Sequence, residues 1–258
     1  MKRKYMIIVL MAGALELTGC SQGTSNSAKN GTTGSENTII SESDIAILDT
    51  EYMFTERDRD TEYDESECTA ISLSDEETKC DSDGVKMDGQ TVTITEGGTY
   101  LLTGSLSNGS VVVDTDKTEK VQLILENVSI INEEGAGICV EQADKVFITL
   151  ADGSTNKIVS NSFTGNEDTN IDGAIFSRED LTLNGSGTLK ITSAAHGIVS
   201  KDDLVLTGGV YQIQSEKQGL SGKESVRIAD GTFTITSGTD AIHSEDTDED
   251  TKGFVYIT

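Results

Sequence analysis

Apolar side chains in the C-terminal part of this chain recur at one fixed step. Leu204 to Val226, Tyr211 to Phe233 and Ile213 to Ile235 are each 22 residues apart. Ile175, Ile198, Leu220 and Ile242 share one column of the repeat. Leu181, Leu204, Val226 and, after an insertion, Val255 share a second, and Leu183, Leu206, Ile228 and Ile257 a third. Leu189, Tyr211 and Phe233 make a fourth, and Ile191, Ile213 and Ile235 a fifth. A repeat of this kind means stacked units that bury one continuous core.

Within each unit apolar and polar residues alternate, as in Leu181-Thr182-Leu183 and Phe233-Thr234-Ile235. That is strand periodicity, one side chain inward and the next outward. Gly187, Gly209 and Gly231 recur where the chain must turn sharply. An up-and-down sheet or sandwich also alternates, but it does not require like residues in every column. The sequence therefore predicts an all-β fold: a right-handed single-stranded parallel β-helix, or solenoid, of three short strands and about 22 residues per coil. Earlier coils, from Thr91 to Leu150, are looser, and an acidic, polar insertion occupies residues 160–172. A loop of that length on a repeat scaffold is a candidate binding feature. The sequence stops at Thr258 within a strand, which leaves an uncapped edge, so a fragment of a longer protein is expected.

The N-terminus reads as a targeting segment. Lys2, Arg3 and Lys4 precede the apolar run Tyr5 to Leu15, and Leu17-Thr18-Gly19-Cys20 resembles the lipobox of bacterial lipoproteins. That resemblance implies cleavage before Cys20, lipidation of its thiol and amine, and a location on the extracellular face of the bacterial membrane. Residues 1–20 are thus a signal peptide, 21–43 a Ser/Gly/Thr/Asn-rich tether, 44–83 an N-terminal β segment or cap, and 84–258 the repeat. An exported protein can keep disulfides, and Cys68 and Cys80 bracket a short apolar alternation, so a bridge between them is expected. Cys139 falls in an apolar run and reads as a small buried residue.

Aspartate and glutamate number 45 against 19 lysines and arginines, for a net charge of -26. Such a surface repels nucleic acid and anionic membrane, so neither is an expected direct ligand. Three polar columns accompany the core columns. Asp172, His196, Gln218 and Asp240 open successive units, Arg178, Lys201 and Lys223 form a basic column, and Glu179, Asp180, Asp202, Asp203 and Glu224 an acidic one. Glu245, Asp246, Asp248, Glu249 and Asp250 follow, and Glu167 and Asp168 lie in the insertion. Stacked carboxylates need cations between them. The basic column can supply an ion-pair ladder of small worth per rung, or Ca2+ can sit among the oxygens. The candidate Ca2+ ligands are Asp168, Asp172, Asp180, Asp202, Asp203, Asp240, Glu245, Asp246, Asp248 and Asp250. The spacing is not that of an EF-hand, and His196 and His243, the two histidines, fall in different columns.

The phrases VKMDGQTVTITEGGTYLLTGSL, KVFITLADGSTN, IFSREDLTLNGSGTL, GIVSKDDLVLTGG and SEDTDEDTKGFVYI resemble a bacterial extracellular carbohydrate-binding family whose members are similar to pectate lyases and bind Ca2+. The resemblance implies a Ca2+-binding, polysaccharide-binding surface module with affinity for plant cell-wall polymers such as polygalacturonate or cellulose, and the first reading of this chain is a Ca2+-dependent, non-catalytic monomer. It reaches the membrane only through its lipid. His196 and Gln218 stand where the family often has Asp. There is no Trp, so binding falls to a polar flank, with Arg178, Lys201 and Lys223 as ligand-binding candidates. A polysaccharide lyase is a second reading, with one of these cations as base. A rigid adhesive or structural stalk that needs no site is a third.

Overall fold

The structure is a computed structural model that describes residues 6–8, 50–164, 170–249 and 251–258. Its strands follow the alternation of the sequence, with apolar side chains inward and polar ones outward, and they pair into two sheets. In the larger, 12-stranded sheet the neighbours run Gly98–Leu106, Lys120–Leu125, Lys145–Leu150, Asp180–Gly185, Asp203–Ser215, Thr188–Ser193, Thr155–Ser160 and Ser129–Asn132. Ser129–Asn132 then pairs back onto Gly98–Leu106, and every step is parallel. Eight parallel strands thus form a closed barrel. Thr69–Leu73, Ser225–Ser237, Phe254–Ile257 and Met6–Ile8 extend this sheet, the last lying antiparallel against Phe233 to Ile235.

The second sheet has eight strands. Seven of them are parallel: Thr91–Ile94, Ser110–Asp114, Ile138–Gln142, Gly173–Ser177, His196–Ser200, Leu220–Gly222 and Ile242–Ser244. Val85–Asp88 closes its other end antiparallel.

The all-β class stands, but the right-handed β-helix solenoid expected from the sequence does not. The alternation predicts three separate short strands in each coil. Two long strands instead run around a bend and carry the hydrogen bonding from one side of the barrel to the other. Gly98–Leu106 pairs with Lys120–Leu125 before its bend and with Ser129–Asn132 after it. Asp203–Ser215 does the same between Asp180–Gly185 and Thr188–Ser193. Glycine makes these bends. Gly104 has φ 87° and Gly209 φ 99°, conformations that cost little only without a Cβ. A Cβ on Gly104 would also lie 2.3 Å from the Leu73 carbonyl oxygen.

The register of the sequence columns survives this correction. Leu181, Leu204, Val226 and Val255 are successive Cα partners, as are Leu183, Leu206, Ile228 and Ile257. Leu189, Tyr211 and Phe233 form another such line, and the rings of Tyr211 and Phe233 stack 4.8 Å apart, tilted by 5°. All these side chains except Val255 and Ile257 are buried in one cluster. Each buried aliphatic contributes about 1.5–3 kcal/mol.

Residues 50–60 cross the outward face of the barrel as a strap. Its α-helical turn, Glu56–Arg59, is capped by Thr55, whose hydroxyl accepts from the Asp58 N–H while Asp58 accepts from the Thr55 N–H. Asp58 is 2% exposed. Its Oδ1 meets Lys145 Nζ at 2.9 Å and accepts from the Thr182 hydroxyl at 2.8 Å. Arg57 lies over the Phe147 ring, 4.5 Å from its centroid, and donates to Gln122 Oε1. Beneath the strap Gln122 donates to Thr149, Thr149 to Asn184, and Asn184 to the Asp60 carbonyl. These outward polar groups are buried and satisfied because the strap covers them.

Candidate functional site

The outward face of the second sheet carries a line of side chains in register: Cys139, Phe176, Val199, Ser221 and His243. Cys139, Phe176 and Val199 are buried with Ala136 in a small apolar cluster of their own. Burial and the neighbouring Glu141 carboxylate push the Cys139 thiol up, so it is an inert packing residue. Toward Ser221 and His243 the side chains become smaller and polar, and a cleft of about 510 Å³ opens over them.

The two polar columns of the sequence flank this line. On one side stand Asp172 and Gln218, which precede their strands, and His196, which opens its own. The Gln218 N–H donates to His196 Nδ1 at 3.3 Å, leaving Nε2 to carry the proton toward Asp172 Oδ2, 3.4 Å away. Lys201 Nζ reaches across the sheet to Asp172 Oδ1 at 3.4 Å. Burial raises the Asp172 carboxyl, but the His196 hydrogen bond and the Lys201 charge outweigh it and hold the pKa below the ordinary value.

On the other side stand Arg178, Lys201 and Lys223, each just past the end of its strand. Arg178 Nε meets Glu141 Oε2 at 2.6 Å, and the guanidinium lies 5.5 Å from the Phe176 ring centroid. Lys201 lies over the same ring at 5.3 Å. Lys223 Nζ is 3.4 Å from Asp248 and 3.7 Å from Asp246, and these two carboxylates raise its pKa further. The Lys201 and Lys223 side chains are 38% and 47% exposed, so both ammonium groups remain open to a ligand in the cleft. Asp240 and Glu245 lie on either side of His243, at 3.6 Å each.

The other expected metal ligands are elsewhere. Asp180, Asp202 and Asp203 sit at the turn between the two sheets. Asp180 Oδ1 accepts from the Asp203 N–H at 3.2 Å, and Asp203 is paired with Arg227 and accepts from the Ser225 hydroxyl. Glu224 is paired with Lys252, which also meets Glu249 at 2.9 Å. Asp246 accepts from the Asp248 and Glu249 N–H groups and shapes its own turn. Asp168 and Asp250 lie outside the described residues, as does Cys20.

The Ca2+ implied by the resemblance does not fit the carboxylates as they stand. Among the described residues no three Asp, Glu, His or Cys side chains converge to hold a metal ion. Lys201 occupies Asp172, Arg227 occupies Asp203, and Lys223 lies against Asp246 and Asp248. The expected Cys68–Cys80 bridge is not formed either: both thiols are free, and Cys68 Sγ donates to the Asp64 carbonyl at 3.2 Å.

One carboxylate at the turn has titration of its own. Burial, a hydrogen bond shared with Glu224 and the charges of Asp180, Glu224 and Asp203 raise the Asp202 pKa to about 7. The folded protein therefore binds more protons than the unfolded chain between roughly pH 4 and 7, and stability falls as the pH rises through that window. Asp202→Asn is expected to raise the unfolding temperature at pH 8 and to leave it unchanged at pH 4. Equal shifts at both pH values, measured by thermal denaturation, would show that repulsion at this turn is not the cause.

Residues 88–258 match the family model described as carbohydrate-binding domain-containing protein. The chain belongs to this carbohydrate-binding domain family. A carbohydrate-binding domain-containing protein of Acetivibrio thermocellus is 35% identical over 137 residues, which are 52% of this chain and 48% of the relative. The chain thus spans about half the length of that curated relative. Among solved structures, a polysaccharide lyase-like protein from C. thermocellum, in a gadolinium derivative, is similar at a TM-score of 0.70 and 34% identity. The likeness covers 74% of this chain and 79% of that one.

The sequence columns place Asp172, Lys201 and Lys223 without showing that they share one cleft. They do not single out Phe176, Val199 and Ser221 as its floor. The signal was there in the alternation: each is the outward neighbour of an inward residue, Ile175, Ile198 or Leu220.

Proposed function

We propose that this member of the carbohydrate-binding domain family is a non-catalytic surface module that holds an acidic polysaccharide in the cleft over Val199 and Ser221. The observation that carries the reading is the pair of half-exposed ammonium groups, Lys201 and Lys223, one rung apart on the cleft wall. Charge-assisted hydrogen bonds from such groups to a carboxylate are roughly twice as strong as neutral ones. Gln218, Ser221 and His196 supply donors and acceptors for sugar hydroxyls. Polygalacturonate is the polymer that matches this chemistry, and cellulose is its uncharged comparison.

The same cations argue against proton abstraction. A base must be neutral near the working pH, whereas the carboxylates beside Lys223 favour its charged form, and Lys201 is paired with Asp172. Arg178 is tied to Glu141 in the same way. Co-sedimentation with polygalacturonate, with unsaturated product followed in the same tube, tests both halves of the proposal. Retention without product is expected, with and without chelator. Product would establish a lyase, retention lost with chelator would assign the contact to a bridging metal ion, and no retention would leave a structural stalk.

The lipid anchor at Cys20 is part of this reading, supported by the basic start, apolar run and lipobox-like Leu17–Cys20. A fatty-acid analogue fed to expressing cells is expected to label the wild type and not Cys20→Ala. Equal labelling of the two would exclude Cys20 as the attachment point.

A further inference from the structure

The barrel presents a second surface, on its side away from the strap and the cleft, that nothing above uses. Four adjacent strands, Thr155–Ser160, Thr188–Ser193, Asp203–Ser215 and Ser225–Ser237, are in register there. One outward column reads Lys157, Lys190, Gln212, Thr234, and the next Val159, Thr192, Gln214, Thr236. No carboxylate stands in either column, in a chain with 45 of them. The nearest acids along these strands, Glu216 and Asp230, lie beyond Ser215 and before the Gly231 bend.

The polar side chains of this grid are also unspent. Lys201 and Lys223 are held by carboxylates, but Lys157 and Lys190 are Cα partners on neighbouring strands, and no carboxylate among the described residues pairs with either. Like charges placed directly opposite each other cost stability. Gln212, Gln214, Thr192, Thr234 and Thr236 point outward, exposed or partly exposed, with their amides and hydroxyls open to solvent. The result is a flat array of donors and acceptors at the rung spacing of about 4.8 Å and the two-residue spacing of about 6.7 Å, with two adjacent positive charges at one end.

Resting on the reading of this chain as a polysaccharide binder, we infer that this flat face is a second polysaccharide contact. It lays an extended, carboxylate-bearing chain across the strands, with Lys157 and Lys190 on its carboxylates and the Gln and Thr columns on its hydroxyls. Charge complementarity selects that occupant: on a protein of net charge -26 an acid-free, lysine-bearing patch is where a polyanion can approach. A cleft and a flat face on one module engage a long polymer twice, whereas a short oligosaccharide fills the cleft alone.

The test compares Lys157→Glu/Lys190→Glu, and the milder Lys157→Gln/Lys190→Gln, with wild type. Each is measured on long polygalacturonate by co-sedimentation and on a short oligogalacturonide by calorimetric titration. Retention of the long polymer is expected to weaken at least tenfold in the Glu variant and less in the Gln variant, with oligogalacturonide affinity unchanged in both; the unfolding temperature stays the same in the Glu variant, which keeps a like-charge pair, and rises slightly in the Gln variant, which removes it. Wild-type retention of the long polymer by the Glu variant would overturn the second contact and leave the cleft reading intact. Failure of wild type to bind the oligogalacturonide would count against the cleft instead. A change in mass by light scattering in the Glu variant would assign the face to a second copy of the chain and overturn the proposal.

Discussion

Replacing Asp58 with Ala is expected to lower the unfolding free energy by about 3–5 kcal/mol, the cost of removing one partner from a buried ion pair. The side chain holds together two parts of the molecule far apart in sequence. It closes the Thr55 cap of the strap and receives Lys145 and Thr182 from the barrel. Without it the Lys145 side chain, only 14% exposed, loses its ion-pair partner and the Thr182 hydroxyl loses its acceptor. Burial alone would raise the Asp58 carboxyl, but Lys145, the Thr55 N–H and Thr182 together hold it at about 2. A folded value below the unfolded one means that this contribution is complete above about pH 4 and is lost as the pH falls through 2. Wild type and variant should therefore differ most at neutral pH and converge in acid. Urea midpoints at pH 7 and pH 2.5 measure this, and Asp58→Leu/Lys145→Met should recover much of the loss by removing both charges. A single variant as stable as wild type at pH 7 would mean that the strap is not fastened here.

The strap also marks where sequence reasoning runs out. The columns Leu181 to Val255 and Leu189 to Phe233 were legible because parallel rungs stack like on like, and the chain must repeat the residue type to keep one core. Thr182, Asn184, Gln122 and Thr149 alternate with core residues in the same way, so they read as solvent-facing. Only the strap, from more than 60 residues upstream of the nearest of them, makes them buried. The closure of the barrel was hidden for a related reason. Gly104 and Gly209 are two of 26 glycines, and nothing local separates a glycine that ends a strand from one that lets a strand continue around a bend. The cleft was half legible. Its walls are sequence columns, but the contact that joins them, Lys201 to Asp172, crosses between columns 29 residues apart.

Charge reversal at the cleft wall is expected to have the largest effect on binding. Lys201→Glu/Lys223→Glu replaces two exposed donors with two carboxylates beside Asp172, Asp246 and Asp248. Each charge-assisted contact to a uronate contributes about 1.5–3 kcal/mol, so losing both weakens binding by about a hundredfold or more. Fold stability should change little, because both side chains are half-exposed and their ion pairs are of the weak surface kind. Lys201→Gln/Lys223→Gln should fall between the two, and added salt should narrow the differences among all three.

Titrating the oligogalacturonide into wild type and into Lys201→Glu/Lys223→Glu, at matched pH and low salt, is the most direct check that this chain binds acidic glycan through the cleft. Saturable binding to wild type that disappears in the variant, with both proteins melting at the same temperature, is the predicted result. Equal affinity of the two proteins would place the glycan elsewhere on the molecule, and absence of binding to either would contradict the account.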